Sequence, residues 1–406
     1  MLSEFDRFPI DRTSIAQEYL DLAERHRTSL FPWRGQFSPE FIELILAEYA
    51  DPESVIADPF VGSGTVLFES ARKSLPCFGA EINPAAVIMS DTVRFANVDM
   101  LSRRDYIRRA QAIIEQVWPI YYDGGLFSLL NTQEDARPPM EDLLRSMLHA
   151  ASSDSYVYNI VANTILHFMG FNGRNDAGAF FRSFERHRAI VEGLPLSNRP
   201  CMVFHCDARA LPLDDDSIDL IVTSPPYINV FNYHQNYRPA VELMGWDVLR
   251  VARSEFGSNR KHRGNRFLTV VQYAIDMLQA LQEMRRLVRL NGRIVIVVGR
   301  ESRVRGVSFQ NGRIVAALAS GGAGLRLVMR QERKFKNKFG DIIYEDILHF
   351  APADSSPQMS DDFARELALT LLDEAASTEV SEDVLSDILA AARQAATVEA
   401  SPILEP

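Results

Sequence analysis

The stretch SVIADPFVGSGTVLFESARKS (54–74) constrains the fold more than any other part of this chain. A short apolar run, SVIADP, leads into a glycine turn. TVLFESARKS continues as an amphipathic helix, and PCFGAEI (76–82) is the next strand. Strand, helix and parallel strand make a βαβ unit, whose crossover is right-handed and whose sheet must be covered on both faces. Strands resume at MVFH (202–205), SIDLIVT (217–223) and RIVIVVG (293–299). LRLVMRQERKF and IIYEDILHFA read as a closing antiparallel hairpin. The fold class is therefore α/β, a doubly wound Rossmann-like sheet with a C-terminal antiparallel hairpin and a helical insertion.

Four segments are expected. Residues 1–99 are an N-terminal segment and the cofactor-binding half, and 100–199 are the helical insertion, a candidate target-recognition region. Residues 200–354 form the catalytic half, and 355–406 form an acidic, flexible tail. The stretch 268–290 reads as an amphipathic helix stopped by Asn291-Gly292. Three cysteines are too few for a disulfide framework, no apolar run is long enough to span a membrane, and the N-terminus lacks a secretory pattern. A cytoplasmic protein is expected. The histidines are scattered, and Cys201, His205 and Cys206 lack the paired spacing of a zinc site, so no metal is expected.

The net charge of −11 seems to exclude a polyanionic partner. Most of it, however, sits in 361–406, where eleven Asp/Glu face only Arg365 and Arg393. The stretch RVARSEFGSNRKHRGNR (250–266) carries six Arg/Lys against Glu255, and RQERKFKNK (330–338) is a second basic run. Local fields of this kind attract nucleic acid. Arg260, Lys261, Arg263, Arg266, Lys334, Lys336 and Lys338 are the candidate DNA-contacting residues, with a solvated basic surface as the alternative.

Two constellations carry chemistry. In Asp58-Pro59-Phe60-Val61-Gly62-Ser63-Gly64-Thr65, glycines and a helix N-terminus let the backbone approach a polar ligand. Glu81, in GAEINP, can accept hydrogen bonds from both hydroxyls of a ribose. The absence of GxGxxG favours a nucleoside cofactor without a pyrophosphate, such as S-adenosylmethionine. The second constellation, Thr223-Ser224-Pro225-Pro226-Tyr227, follows a strand. Its prolines fix the backbone and remove N–H donors. A serine hydroxyl beside a carbonyl can hold an exocyclic amine, and a tyrosine can stack on a flipped base.

DPFVGSGT followed by TSPPY resembles the amino-group DNA methyltransferases, S-adenosylmethionine-dependent enzymes acting on cytosine N4 or adenine N6. FPWRGQFSPEFIELIL, CDAR (206–209), NGRIVIVVG and KFGDIIYEDILHF resemble further segments of that family. The resemblance implies catalytic roles for Ser224, Pro225, Pro226 and Tyr227. It implies cofactor contacts at Phe37, Asp58, Pro59, Phe60, Gly62, Ser63, Gly64, Thr65, Glu81, Ile82, Asn83, Asp207 and Ala208, with Asp207 near the adenine. It also implies double-stranded DNA as partner and leaves open a cognate restriction endonuclease. The serine form of the motif favours cytosine N4 over adenine N6. An RNA base-amine methyltransferase and an inactive nucleic-acid-binding relative are the other readings.

Overall fold

The computed structural model describes residues 2–21, 26–122, 139–170, 177–228, 233–257, 262, 264–336, 340–354 and 360–404. The βαβ unit is present: β1 (Ile56–Asp58), a helix over Thr65–Arg72 and β2 (Cys77–Ala80), the strands pairing in parallel from Ile56↔Cys77 to Asp58↔Gly79. β3 (Cys201–Phe204), β4 (Ile218–Thr223) and β5 (Val288–Gly299) extend the parallel sheet. β6 (Glu301–Val304) and β7 (Val307–Gln310) form a separate small hairpin. β8 (Leu325–Lys336) and β9 (Ile342–Pro352) close the main sheet in the order β3-β2-β1-β4-β5-β9-β8, with β9 antiparallel to both neighbours. The strand order reverses between β1 and β4, which opens a crevice beyond their carboxyl ends, where open α/β sheets bind ligands.

Alternation along β5 explains the two-sided core. Val295 and Val297 join Phe41, Leu67 and Val222 on one face, and Ile294, Ile296 and Val298 join Leu278, Leu281 and Leu318 on the other. The insertion belongs to the first face. Its helices, Met100–Tyr122, Met140–Ala151, Ser155–Gly170 and Ala177–Gly193, contribute Ile114, Met147, Ile160 and Phe184 to that core. Arg103, fully buried, donates to the carbonyls of Val98, Val191, Leu194 and Pro195, so one guanidinium ties the insertion's start to its end.

Two expectations are corrected. Asn291-Gly292 does not stop a helix: the helix Leu268–Leu287 ends earlier, and the dipeptide sits inside β5 at an irregularity in its pairing with β4. The described part of the 355–406 tail is folded, not flexible. Helices Asp362–Ala376 and Glu382–Gln394 bury Leu367, Leu371, Leu372, Val384 and Ile388 in the second core, while Arg305 pairs with Asp383 and Asp387 and Arg313 with Glu374. The acidic composition conceals a helical stripe of Ala364, Leu367, Ala368, Leu371 and Ala375, and a stripe decides packing where an average does not. No helix among the described residues is long and apolar enough to cross a membrane.

Candidate active site

The crevice is a cleft of about 1070 Å³ including its mouth. The sequence-predicted residues Phe37, Asp58, Pro59, Phe60, Gly62, Ser63, Thr65, Glu81, Ile82, Asn83, Asp207, Ala208, Ser224, Pro226 and Tyr227 all line it. Gly64 and Pro225 do not. Gly64 stands behind the turn at φ +95°, where a Cβ would lie 2.9 Å from the Phe68 ring and 3.0 Å from the Ser90 backbone, so it is required for packing. The Pro225 ring is buried, and its carbonyl carbon is bonded to the nitrogen of Pro226, which does line the cleft.

The two constellations are fastened to each other. Asp58 accepts from the Thr223 hydroxyl at 2.6 Å and from the Phe60 amide at 3.1 Å, joining the ends of β1 and β4. Burial pushes the Asp58 carboxyl up to about 7, against the pull of those bonds. Glu81 is held by two amides, Gly62 N–H at 3.0 Å and Asn83 N–H at 2.8 Å. Each oxygen takes one of these bonds and, as a carboxylate oxygen, has a further lone pair that a vicinal diol can use. Burial pushes Glu81 up to about 7, its amide partners pull it down, and the charge of Glu255 adds to the rise. Ser63 donates to Gln36 Oε1 at 2.7 Å, and Trp33 packs on Gly62, so the segment 33–37 closes over the glycine turn.

At the other end, Ser224 Oγ lies 3.2 Å from the Tyr227 hydroxyl. The Tyr227 ring packs on Gly299, where a Cβ would meet it at 3.1 Å, and burial pushes its phenol well above the usual range, so it stays neutral. Arg266, Lys334 and Lys336 are exposed. Lys334 and Lys336 end β8, and Arg266 precedes the helix that leads into β5, so all three lie toward the sheet edge that carries the cleft. Arg260, Lys261, Arg263 and Lys338 lie outside the described residues. Among the described residues no cluster of three His, Cys, Asp or Glu is arranged to hold a metal.

The cleft includes residues the sequence reading passed over. Trp33, Arg34, Gly35 and Gln36 lie in the already suspicious FPWRGQF and could have been taken with Phe37. Glu255 and Phe256 carried no local signal. Glu255 was the one acid of a basic stretch, yet it enters the cleft with His234 N–H donating to it at 2.6 Å and His234 Nδ1 at 2.7 Å.

The donor set fits S-adenosylmethionine: a fixed carboxylate for the ribose, apolar walls from Phe37, Phe60, Ile82 and Pro226, and polar groups at both ends. Residues 15–91 match a family model described as DNA methylase. The chain is 23% identical over 267 residues to the Type II methyltransferase M.AvaI of Nostoc sp., covering 53% of each chain. It is 30% identical over 74 residues to the Type II methyltransferase M.MjaII of Methanocaldococcus jannaschii, covering 17% of this chain and 14% of that one. Among solved structures, a methyltransferase from Methanosarcina mazei aligns at 11% identity and a TM-score of 0.34, over 76% of this chain and 97% of that one. The chain spans about half the length of the M.AvaI relatives it matches.

Since Glu81 is largely protonated below about 7 in the free protein, a bound ribose diol that favours its carboxylate must displace that proton. Cofactor affinity is therefore expected to fall as pH drops below 7, by at most about tenfold per unit for one proton. Calorimetry at pH 6, 7 and 8 checks this, and a flat affinity would remove Glu81 from the ribose.

Proposed function

We propose that the protein is a site-specific DNA methyltransferase that transfers a methyl group from S-adenosylmethionine to the exocyclic amine of a flipped base, cytosine N4 in preference to adenine N6. The observation that carries this reading is the joining of Thr223 in TSPPY to Asp58 of the glycine turn, which brings Ser224 and Tyr227 to the same cleft as Glu81. The cofactor, when bound, supplies an electrophilic methyl on a sulfonium. In this reading, Tyr227 stacks on the extruded base, at an unstacking cost of a few kcal/mol. Ser224 Oγ and the Pro225 carbonyl accept from the amine and keep its lone pair toward the methyl. Positioning carries much of the rate, and no covalent intermediate is needed. The preference for cytosine rests on the serine that opens the motif.

Methylation of a plasmid followed by nucleoside mass spectrometry tests base and atom together, with N4-methylcytosine the expected product. N6-methyladenine would revise the target, and no modified nucleoside would overturn the reading. The basic stretches support DNA contact through Arg260, Lys261, Arg263, Arg266, Lys334, Lys336 and Lys338. Neutralising Arg260, Lys261, Arg263 and Arg266 together should lower DNA affinity and flatten its salt dependence, by about 0.9 in log–log slope per lost phosphate contact. An unchanged slope returns that stretch to the solvated-surface reading.

A further inference from the structure

We propose that Tyr237 is a positioning residue for the cofactor: it latches the segment 32–37 over the glycine turn and so sets how tightly the cleft holds the amino-acid end of S-adenosylmethionine. The inference rests on the S-adenosylmethionine reading above.

The sheet order decides which end of the ligand meets that segment. Glu81 follows β2, the glycine turn follows β1 and Ser224 follows β4, and the three strands lie side by side in the order β2-β1-β4. With the ribose at Glu81 and the methyl delivered at Ser224, the amino-acid end passes the glycine turn between them. Residues 33–37 line the cleft. They belong to no helix or strand, and Arg34 and Gly35 are exposed, so side chains must hold the segment down. Gln36 Oε1 takes the Ser63 hydroxyl at 2.7 Å, and Trp33 Cδ1 and Nε1 lie 3.3 Å from the place of a Gly62 Cβ. Gly62 in turn donates to Glu81 at 3.0 Å.

Tyr237 takes the same indole by its face. The two rings are parallel, 6.2 Å between centroids and 4° between planes, and the Tyr237 hydroxyl donates to the Pro32 carbonyl at 2.8 Å. Burial pushes its phenol well above the usual range, so the hydroxyl remains a donor. Tyr237 is 8% exposed and is not among the residues lining the cleft, so it acts through Pro32 and Trp33. Two features set it apart from ordinary core packing. Its backbone is left-handed, at φ +58° and ψ 18°, which a bulky side chain rarely adopts. The end of the helix Ser155–Gly170 also makes room for its ring: a Cβ on Gly170 would lie 2.1 Å from Tyr237 Cε1. Because Tyr237 stands on the chain that leads on from Tyr227, the latch ties the cover of the cofactor to the excursion after the catalytic motif.

The test compares S-adenosylhomocysteine with 5′-methylthioadenosine, which keeps the adenosine and the thioether but lacks the amino-acid end. Calorimetry on the full chain measures the first, and competition against it measures the second. The wild type is expected to bind S-adenosylhomocysteine the more tightly. Tyr237→Leu loses the stack and the hydroxyl, and should weaken S-adenosylhomocysteine about tenfold or more. Its affinity for 5′-methylthioadenosine should change by less than about twofold. Tyr237→Phe, which keeps the stack, should restore most of the loss. In a Trp33→Leu background, Tyr237→Leu should add less than about twofold, because the indole it acts through is gone. An unchanged affinity for S-adenosylhomocysteine in Tyr237→Leu overturns the proposal, as does an equal loss for both ligands or a full additional loss in the Trp33→Leu background. Should Tyr237→Leu not fold, Tyr237→Phe alone should show the same one-sided loss at about two- to fivefold, and an unaltered ratio there also overturns it. If the wild type binds neither ligand, the S-adenosylmethionine reading itself fails.

Discussion

Ser224→Ala is expected to slow methyl transfer by about 10²-fold or more while leaving cofactor affinity within a few-fold. The two effects separate because the residues concerned stand on different elements. Glu81 and the glycine turn hold their geometry through the Gly62 and Asn83 amides, and Asp58 is bound by Thr223, one residue before the substitution. None of those bonds uses Ser224 Oγ. Its recorded partner is the Tyr227 hydroxyl. In the alanine variant the tyrosine ring keeps its seat on Gly299, so base stacking should persist. What is lost is one acceptor for the target amine, and that acceptor matters most as the nitrogen becomes cationic. Single-turnover methylation at saturating DNA and cofactor isolates the step. Tyr227→Phe keeps the ring and removes only the hydroxyl, so it should cost less. A Ser224→Ala rate equal to wild type would remove TSPPY from the chemistry.

Much of this site was legible in the chain because its parts are local. A strand, a glycine turn and a strand-end acid can be read from contiguous residues, and DPFVGSGT, Glu81 and TSPPY all meet at one cleft. The hairpin β8–β9 was legible for the same reason. Glu255 was not, because its place in the cleft depends on His234, more than one element away, whose amide and ring hold its carboxylate. Charge counting misled at the tail, which reads as acidic and flexible although Leu372 and Ile388 are buried. The informative quantity there was which face a side chain occupies, which an average over a window erases.

Arg209→Ala is expected to destabilise the protein by about 3–5 kcal/mol, the scale for removing one partner of a buried charged network. The Arg209 side chain is 1% exposed, and it joins Asp207 at 2.8 Å to Asp276 at 3.1 Å. It also donates to the carbonyls of Ser401 and Pro402, while Asp276 accepts from the Ser401 amide and hydroxyl at 2.7 Å each. One guanidinium therefore ties the cleft wall, the helix Leu268–Leu287 and the chain after the acidic helices into a single buried array. Alanine would strand two carboxylates and two carbonyls together. The deficit should depend on pH with a definite sign. Burial pushes Asp276 up to about 7 even with Arg209 beside it, so between the usual carboxylate range and 7 the folded state binds more protons than the unfolded one. Stability contributed by this group is therefore greatest at low pH and declines as pH rises through 7. Removing Arg209 raises that carboxyl further, so the decline should steepen and extend above 7. Urea unfolding of both proteins at pH 5.5 and 8 reads the difference directly. The variant's deficit should be larger at pH 8, and Arg209→Lys, which keeps the charge without the planar fork, should fall between. A deficit that is absent, or larger at pH 5.5, would show that the buried array does not carry the charge state on which this argument depends.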